Sequence, residues 1–190
     1  MRKFYFLFAA VLFASISFGQ SAANYTFSTE TTGSLALDRN GAATDMSTGT
    51  TTLLAGGNDD VASSVVNIGF DFLFMGVNYT QFSASSNGFM RLGATAVATT
   101  AASQTGTATG AIITAFGGDQ ATVTAAGANS KVHYKLFGTA PNRVLVVEWA
   151  NMKMNYSSYA TATAGDGTYQ VLIYETTGIV DLKYGAMSVA

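Results

Sequence analysis

Between Val65 and Phe74 the chain reads Val-Val-Asn-Ile-Gly-Phe-Asp-Phe-Leu-Phe, with aromatic rings at 70, 72 and 74 and Ile68 in phase with them. A strand sends every second side chain to one face, so these residues share a face; a helix would scatter them. Rings lined up in this way need burial. The segment therefore demands a second layer of structure to pack against, which is the strongest constraint on the fold.

The same period of two recurs downstream. Val132 to Phe137 alternates and then turns through Gly138 to Asn142 into Arg143 to Trp149, predicting a hairpin. In the return strand Leu145, Val147 and Trp149 share one face while Val144 and Val146 occupy the other, as expected of a central strand. Tyr169 to Glu175 pairs with Ile179 to Tyr184 through Thr176-Thr177-Gly178. There Val180, Leu182 and Tyr184 are expected on a buried face, with Asp181 and Lys183 on a wet one.

Earlier segments predict a first strand at Asn24 to Ser28, a short one at Thr51 to Leu54, another at Tyr79 to Ser85, and a primed-turn hairpin at Asn87-Gly88 leading into Phe89 to Leu92. Ala111 to Phe116 reads as a short apolar strand. Residues 93 to 110 and 119 to 129, rich in Ala, Thr, Gly and Ser, read as loops, the first of them mobile. Only 11% of residues are charged, too few for long exposed helices. About eight to ten short strands without a repeat period indicate an all-β, antiparallel β-sandwich or jelly-roll-like fold.

The start of the chain has a different character. Arg2 and Lys3 precede a nearly unbroken apolar stretch from Phe4 to Phe18, and Ser17 and Gly19 are small residues placed for cleavage after Gly19. This is the anatomy of a signal peptide over residues 1–19, and the stretch of about 15 residues is short of the roughly 20 that span a bilayer. Residues 20–190 then form a single β-sandwich domain, open to truncation at its C-terminus. Cleavage removes Arg2 and Lys3, leaving seven basic residues against eleven acidic ones, so the formal charge moves from −2 to −4. That balance argues against nucleic acid as a partner. No transmembrane segment is expected, and with Cys 0 there is neither a disulfide nor a lipid-anchor thiol.

Few residues offer chemistry. The one histidine, His133, is expected on the solvent side of its strand. Glu148 is the most interesting carboxylate because it precedes the only tryptophan; paired with a second carboxylate it would make a secreted glycoside hydrolase. Its expected role is simpler, a strand-end carboxylate bonded to Arg143, Lys153 or backbone. Asn58, Asp59 and Asp60 put hard oxygen ligands into a glycine-rich loop, and Asp119 or Asp166 would extend the set, so calcium is a possible ion although no cofactor is required. Trp149, Tyr156 and Tyr159, with Asn151 and Asn155 as polar handles, are the candidate ligand-binding residues for stacking on a sugar or peptide.

Taken in order, Ile68-Gly69-Phe70, Phe72, Phe74, Gly76, Tyr79, Phe82, Ser85 and Asn87-Gly88-Phe89, followed by Ala140-Pro141-Asn142-Arg143-Val144 and Glu148-Trp149, resemble an extracellular module. It is similar to the N-terminal β-sandwich of large secreted surface proteins of the Bacteroidetes, substrates of type IX secretion, and to nidogen-like domains in layout. The resemblance covers residues 24 to 187. It implies a β-sandwich without catalysis, at the bacterial cell surface, continued covalently into further adhesive or sorting domains. Such modules carry Pro-Phe-Trp and acidic residues where this chain has Ala115-Phe116-Gly117-Gly118-Asp119, so fold and location carry over and no site does.

The expectation from sequence is thus a secreted, non-catalytic recognition or adhesion module for a surface glycan or protein ligand. The alternatives are the hydrolase built on Glu148 and a structural spacer or filament subunit that pairs through edge strands. Mass spectrometry of the exported protein checks the processing: a chain beginning at Gln20 is expected, and one retaining Met1 contradicts it.

Overall fold

The computed structural model describes residues 25–100 and 110–188. The expected signal peptide therefore lies outside the described residues, as do residues 101–109, half of the expected mobile loop. Among the described residues ten strands form two antiparallel sheets. The larger sheet contains β1 (Thr51–Leu54), β6 (Ala121–Thr122), β7 (Lys131–Phe137), β8 (Val144–Lys153), β9 (Gly167–Tyr174) and β10 (Val180–Met187). Their order is β1-β7-β8-β9-β10, with β6 pairing the end of β8. The smaller sheet is β2 (Val66–Phe74), β3 (Val77–Ala84), β4 (Phe89–Leu92) and β5 (Ile112–Thr114), in that order. The all-β sandwich read from the sequence is the fold.

The alternating run at β2 is buried as its period requires: Ile68, Phe70 and Phe72 face the core while Asn67, Gly69 and Asp71 are exposed. Opposite them lie Leu145, Val147 and Trp149 of β8 and Tyr169, Val171 and Ile173 of β9, all fully buried. The other face of β8 is also covered. Val144 and Val146 join Leu172, Tyr174 and Met46 in a second apolar cluster. Met46 belongs to the segment that precedes β1, which crosses the outer face of the larger sheet as a strap.

Asn87 is the point where the layers lock together. It has no exposed surface, and its amide nitrogen donates to Asp60 Oδ1 and to the Thr99 carbonyl, both at 2.8 Å. Its amide oxygen accepts from the Gln120 N–H at 2.9 Å. Gln120 in turn accepts from the Tyr169 hydroxyl at 2.9 Å and donates to the Phe116 carbonyl. Tyr169 stacks on Trp149 with centroids 5.3 Å apart, and the indole N–H donates to the Ser85 carbonyl at 2.8 Å. Burial pushes the Tyr169 phenol well above its ordinary pKa.

Several expectations need correction. Tyr25 to Ser28 forms no strand; Phe27 is 86% exposed, and Tyr25 reaches the body through its ring against Phe74 and its hydroxyl, which accepts from the Met75 N–H at 3.5 Å. The β3–β4 turn is a hairpin of another kind, with three residues between Ser85 and Phe89, where the Ser85 N–H donates to the Phe89 carbonyl. Ser85 accepts from the Gly88 N–H and Gly88 alone takes positive φ, the form of a turn with a bulge glycine. The small-residue stretch after Asp119 contains β6, whose Thr122 is buried. Within the preceding loop Val97 is buried, its N–H bonded to Ser83 Oγ at 2.7 Å.

β10 turns the expected apolar face toward the core side, where Val180 packs on the core and the Tyr184 hydroxyl donates to the Ala115 carbonyl, but that face is poorly covered. Leu182 and Tyr184 are 40% and 48% exposed, whereas Asp181 and Lys183 are half-buried on the strap side. Four strands cannot roof a sheet of six, so the apolar face of this edge strand has no sheet over it. Its polar face holds the strap instead. Tyr174 donates to Asp181 at 2.8 Å, Arg39 lies 3.4 Å from the same carboxylate, and Lys183 donates to the carbonyls of Ser34 and Leu37.

Asn87→Ala would strand the buried N–H of Gln120 and the carbonyl of Thr99, so a loss of about 3 kcal/mol is expected. Thermal unfolding checks this as a fall of roughly 6–12 °C. Gly88→Ala should be worse, because its Cβ would lie 2.0 Å from the Phe116 carbonyl oxygen at a backbone φ of +80°.

Candidate functional site

The loop between β1 and β2 is pinned to β6 by its backbone. Gly57 N–H donates to the Thr122 carbonyl, Thr122 N–H to the Asn58 carbonyl at 2.9 Å, and Asn58 N–H to Thr122 Oγ1 at 2.8 Å. Asp59 bridges to Ala121. Asn58 spends its side-chain nitrogen on the Ala55 carbonyl at 2.7 Å, so it braces the loop. The effect is to bring Asp59 and Asp60 beside Asp119 from the loop between β5 and β6.

These three carboxylates each offer an oxygen, all within 4.8 Å of one another. Asp60 keeps one oxygen on Asn87, which ties the cluster to the core. Asp59 Oδ1 is buried and no protein donor reaches it. The Asp59 carboxyl is raised above its ordinary pKa, first by burial and then by the charges of Asp60 and Asp119. Hard oxygens crowded in this way suit a divalent cation of the calcium type, which would relieve both the repulsion and the unmet lone pairs. Asp166 lies elsewhere, bonded to Lys153 at 2.7 Å and to the Met154 N–H at 2.9 Å.

The predicted ligand-binding residues separate into two groups. Asn155, Tyr156 and Tyr159 belong to a short 3-10 turn over Tyr156–Ser158 that abuts the acidic corner, since Tyr156 N–H donates to the Asp119 carbonyl and Thr124 N–H to that of Tyr159, both at 3.3 Å. Tyr156 is 44% exposed there. Asn155 caps the turn by accepting from Ser157. Trp149 is sealed in the core and presents no face to solvent. Asn151, at positive φ, lies at the irregularity in β8 and donates to the Ala128 carbonyl at 2.8 Å.

His133 and Glu148 are also not where the sequence reading put them. His133 is 1% exposed, and its Nε2 lies 2.8 Å from Glu148 Oε1. Glu148 sits in mid-strand, 9% exposed, and its other oxygen accepts from Gln170 Nε2 at 2.6 Å. Arg143 is engaged elsewhere, forked onto Glu175 at 2.5 and 2.8 Å, and holds that carboxyl below its ordinary pKa by hydrogen bonding. Gln170 carried no signal in the sequence, because only the register of β8 on β9 sets it opposite Glu148.

Two antiparallel sheets with loops gathered at one corner define the class, a β-sandwich module. A family model described as NIDO related matches residues 24–190, and the chain belongs to this nidogen-related family. No curated protein and no solved structure gave a match. Among the described residues no helix is long and apolar enough to cross a membrane.

The raised Asp59 carboxyl has a definite consequence for stability. Its contribution is fully present below the ordinary value of 3.8 and is lost as pH rises through the higher native pKa. In the absence of divalent cations Asp59→Asn should raise the midpoint at pH 7 by about 1–2 °C. Millimolar calcium should raise the midpoint of the parent protein and leave the variant unmoved; scanning calorimetry with and without chelator checks both.

Proposed function

We propose that the protein is a non-catalytic recognition or adhesion module, exported and displayed at a bacterial cell surface as part of a longer secreted protein. Membership of the nidogen-related family supports an extracellular module, and the signal-like first residues support export. The resemblance to the N-terminal modules of Bacteroidetes surface proteins favours the type IX route and covalent continuation into further domains.

The observation that carries the reading is the corner where Asp59, Asp60 and Asp119 meet beside the exposed Tyr156. Three loops end there, each fastened to a strand of the larger sheet or to the Asn87 network. Calcium held by the carboxylates would fix the loops relative to one another. The neighbouring tyrosines then supply flat, amphipathic surface for a glycan or a peptide at small entropic cost.

Binding arrays of glycans and matrix proteins, read with calcium and with chelator, test this. A ligand retained only with calcium, and weakened about tenfold or more by Tyr156→Ala, is expected. Hydrolysis of any glycan on the array, lost in Glu148→Gln, would replace the reading with the hydrolase.

A further inference from the structure

On the outer face of the larger sheet, β7, β8 and β9 place His133, Glu148 and Gln170 directly opposite one another in a single row. Two positions further along β8 and β9 the same face carries Val146 and Leu172, so apolar residues serve as well beneath the strap. Covering three polar side chains there costs stability unless every polar atom is satisfied. Two are not. In the tautomer that donates Nε2–H to Glu148, His133 Nδ1 is a bare acceptor, and Gln170, its amide nitrogen shared between Glu148 and the Leu35 carbonyl, leaves Oε1 bare. Both atoms are buried without a protein partner, on side chains that are each 1% exposed.

The row forms the floor of a cavity of about 550 Å³. Leu35, Ala36, Met46 and Ala150 give it apolar walls, and the hydroxyl of Thr168 also lines it. Its two carboxylates, Glu148 and Asp45, are matched by Lys131 in the wall and by Lys135 alongside, whose ammonium is bonded to the carbonyls of Asp45 and Thr48. The pocket therefore has no surplus charge with which to select an ion. It asks for adjacent uncharged donors carried on a compact frame with C–H faces.

We propose that this cavity is a binding site for a neutral polyhydroxylated ligand, one or two sugar rings in size, whose adjacent hydroxyls donate to His133 Nδ1 and Gln170 Oε1 as the strap around Leu35 shifts outward and uncovers these two buried atoms. A volume of this order lies in the range that encloses small ligands. A hydroxyl both donates and accepts, so it also satisfies Glu148 and Thr168. This site is separate from the acidic corner and does not require calcium.

The test uses the exported chain labelled with 15N and a panel of neutral mono- and disaccharides, with alkylamines and acidic sugars as comparators. A neutral saccharide should shift the His133 Nδ1 resonance, equally with calcium and with chelator. Gln170→Met should weaken binding about tenfold. Ala36→Phe, which fills the mouth from the exposed strap and leaves the row intact, should do the same, so the proposal stays testable if the buried substitution fails to fold. Asp119→Asn should leave this binding unchanged while removing the calcium response of the corner. The proposal is overturned if no neutral saccharide moves the His133 resonance, if only amines or acidic sugars do, or if Ala36→Phe binds as tightly as the parent.

Discussion

The side chain of Asn87 carries more of this structure than its size suggests. Its three hydrogen bonds reach the β1–β2 loop through Asp60, the segment after β4 through Thr99 and the approach to β6 through Gln120. From Gln120 the network continues to Tyr169 and, by stacking, to Trp149, whose N–H returns to Ser85 two residues before Asn87. The hairpin of the smaller sheet is thereby bonded to the centre of the larger one. Hydrophobic burial drives two sheets together without direction, whereas these bonds select one register. A polar network of this kind is favourable only when its members are satisfied, and here each amide in it has a partner.

The same network explains why a cluster of acids can persist at the corner. Asp60 gives one oxygen to a buried amide, and Asp59 is held by a backbone bridge to β6, so neither is free to swing apart from Asp119. Carboxylates on a mobile loop would separate into water and relax their repulsion. Fastened to the core they cannot, and burial first, then the charges of Asp60 and Asp119, hold the Asp59 pKa above its ordinary value.

Much of the fold was legible because burial leaves a period in the sequence. The phenylalanines of β2 and the two apolar faces of β8 announced a core strand and a central strand, and the structure has both. Asp119 was readable as a partner for Asp59 and Asp60 because hard ligands in glycine-flanked turns are a chemical pattern. The errors about which side chains are buried share one cause, since each depends on what covers a face rather than on the strand itself. His133 was expected in solvent, yet the strap lies over it; Leu182 and Tyr184 were expected under a roof that the smaller sheet is too narrow to provide. Trp149 looked like a stacking platform until pairing placed it on Tyr169. Cross-strand partners such as Glu148 and Gln170, 22 residues apart, are set by register and leave no local trace.

The strap shows how a chain with Cys 0 holds an irregular segment in place. The described residues before β1, 25–50, pair among themselves through Leu37 and Ala43 and form no strand of either sheet. Their attachment comes from the far end of the chain: Lys183 on the carbonyls of Ser34 and Leu37, Gln170 on that of Leu35, and Tyr174 and Asp181 around Arg39. Each exposed bond of this kind contributes little alone. Together with Met46, seated among Val144, Val146, Leu172 and Tyr174, they add an apolar anchor to several polar ties. This arrangement closes one side of the polar cavity with a segment whose bonds are weak individually, so the strap can lift locally without disturbing the sandwich core. A buried row of hydrogen-bonding groups beneath a cover of that kind is accessible to a ligand, which it would not be beneath a third sheet.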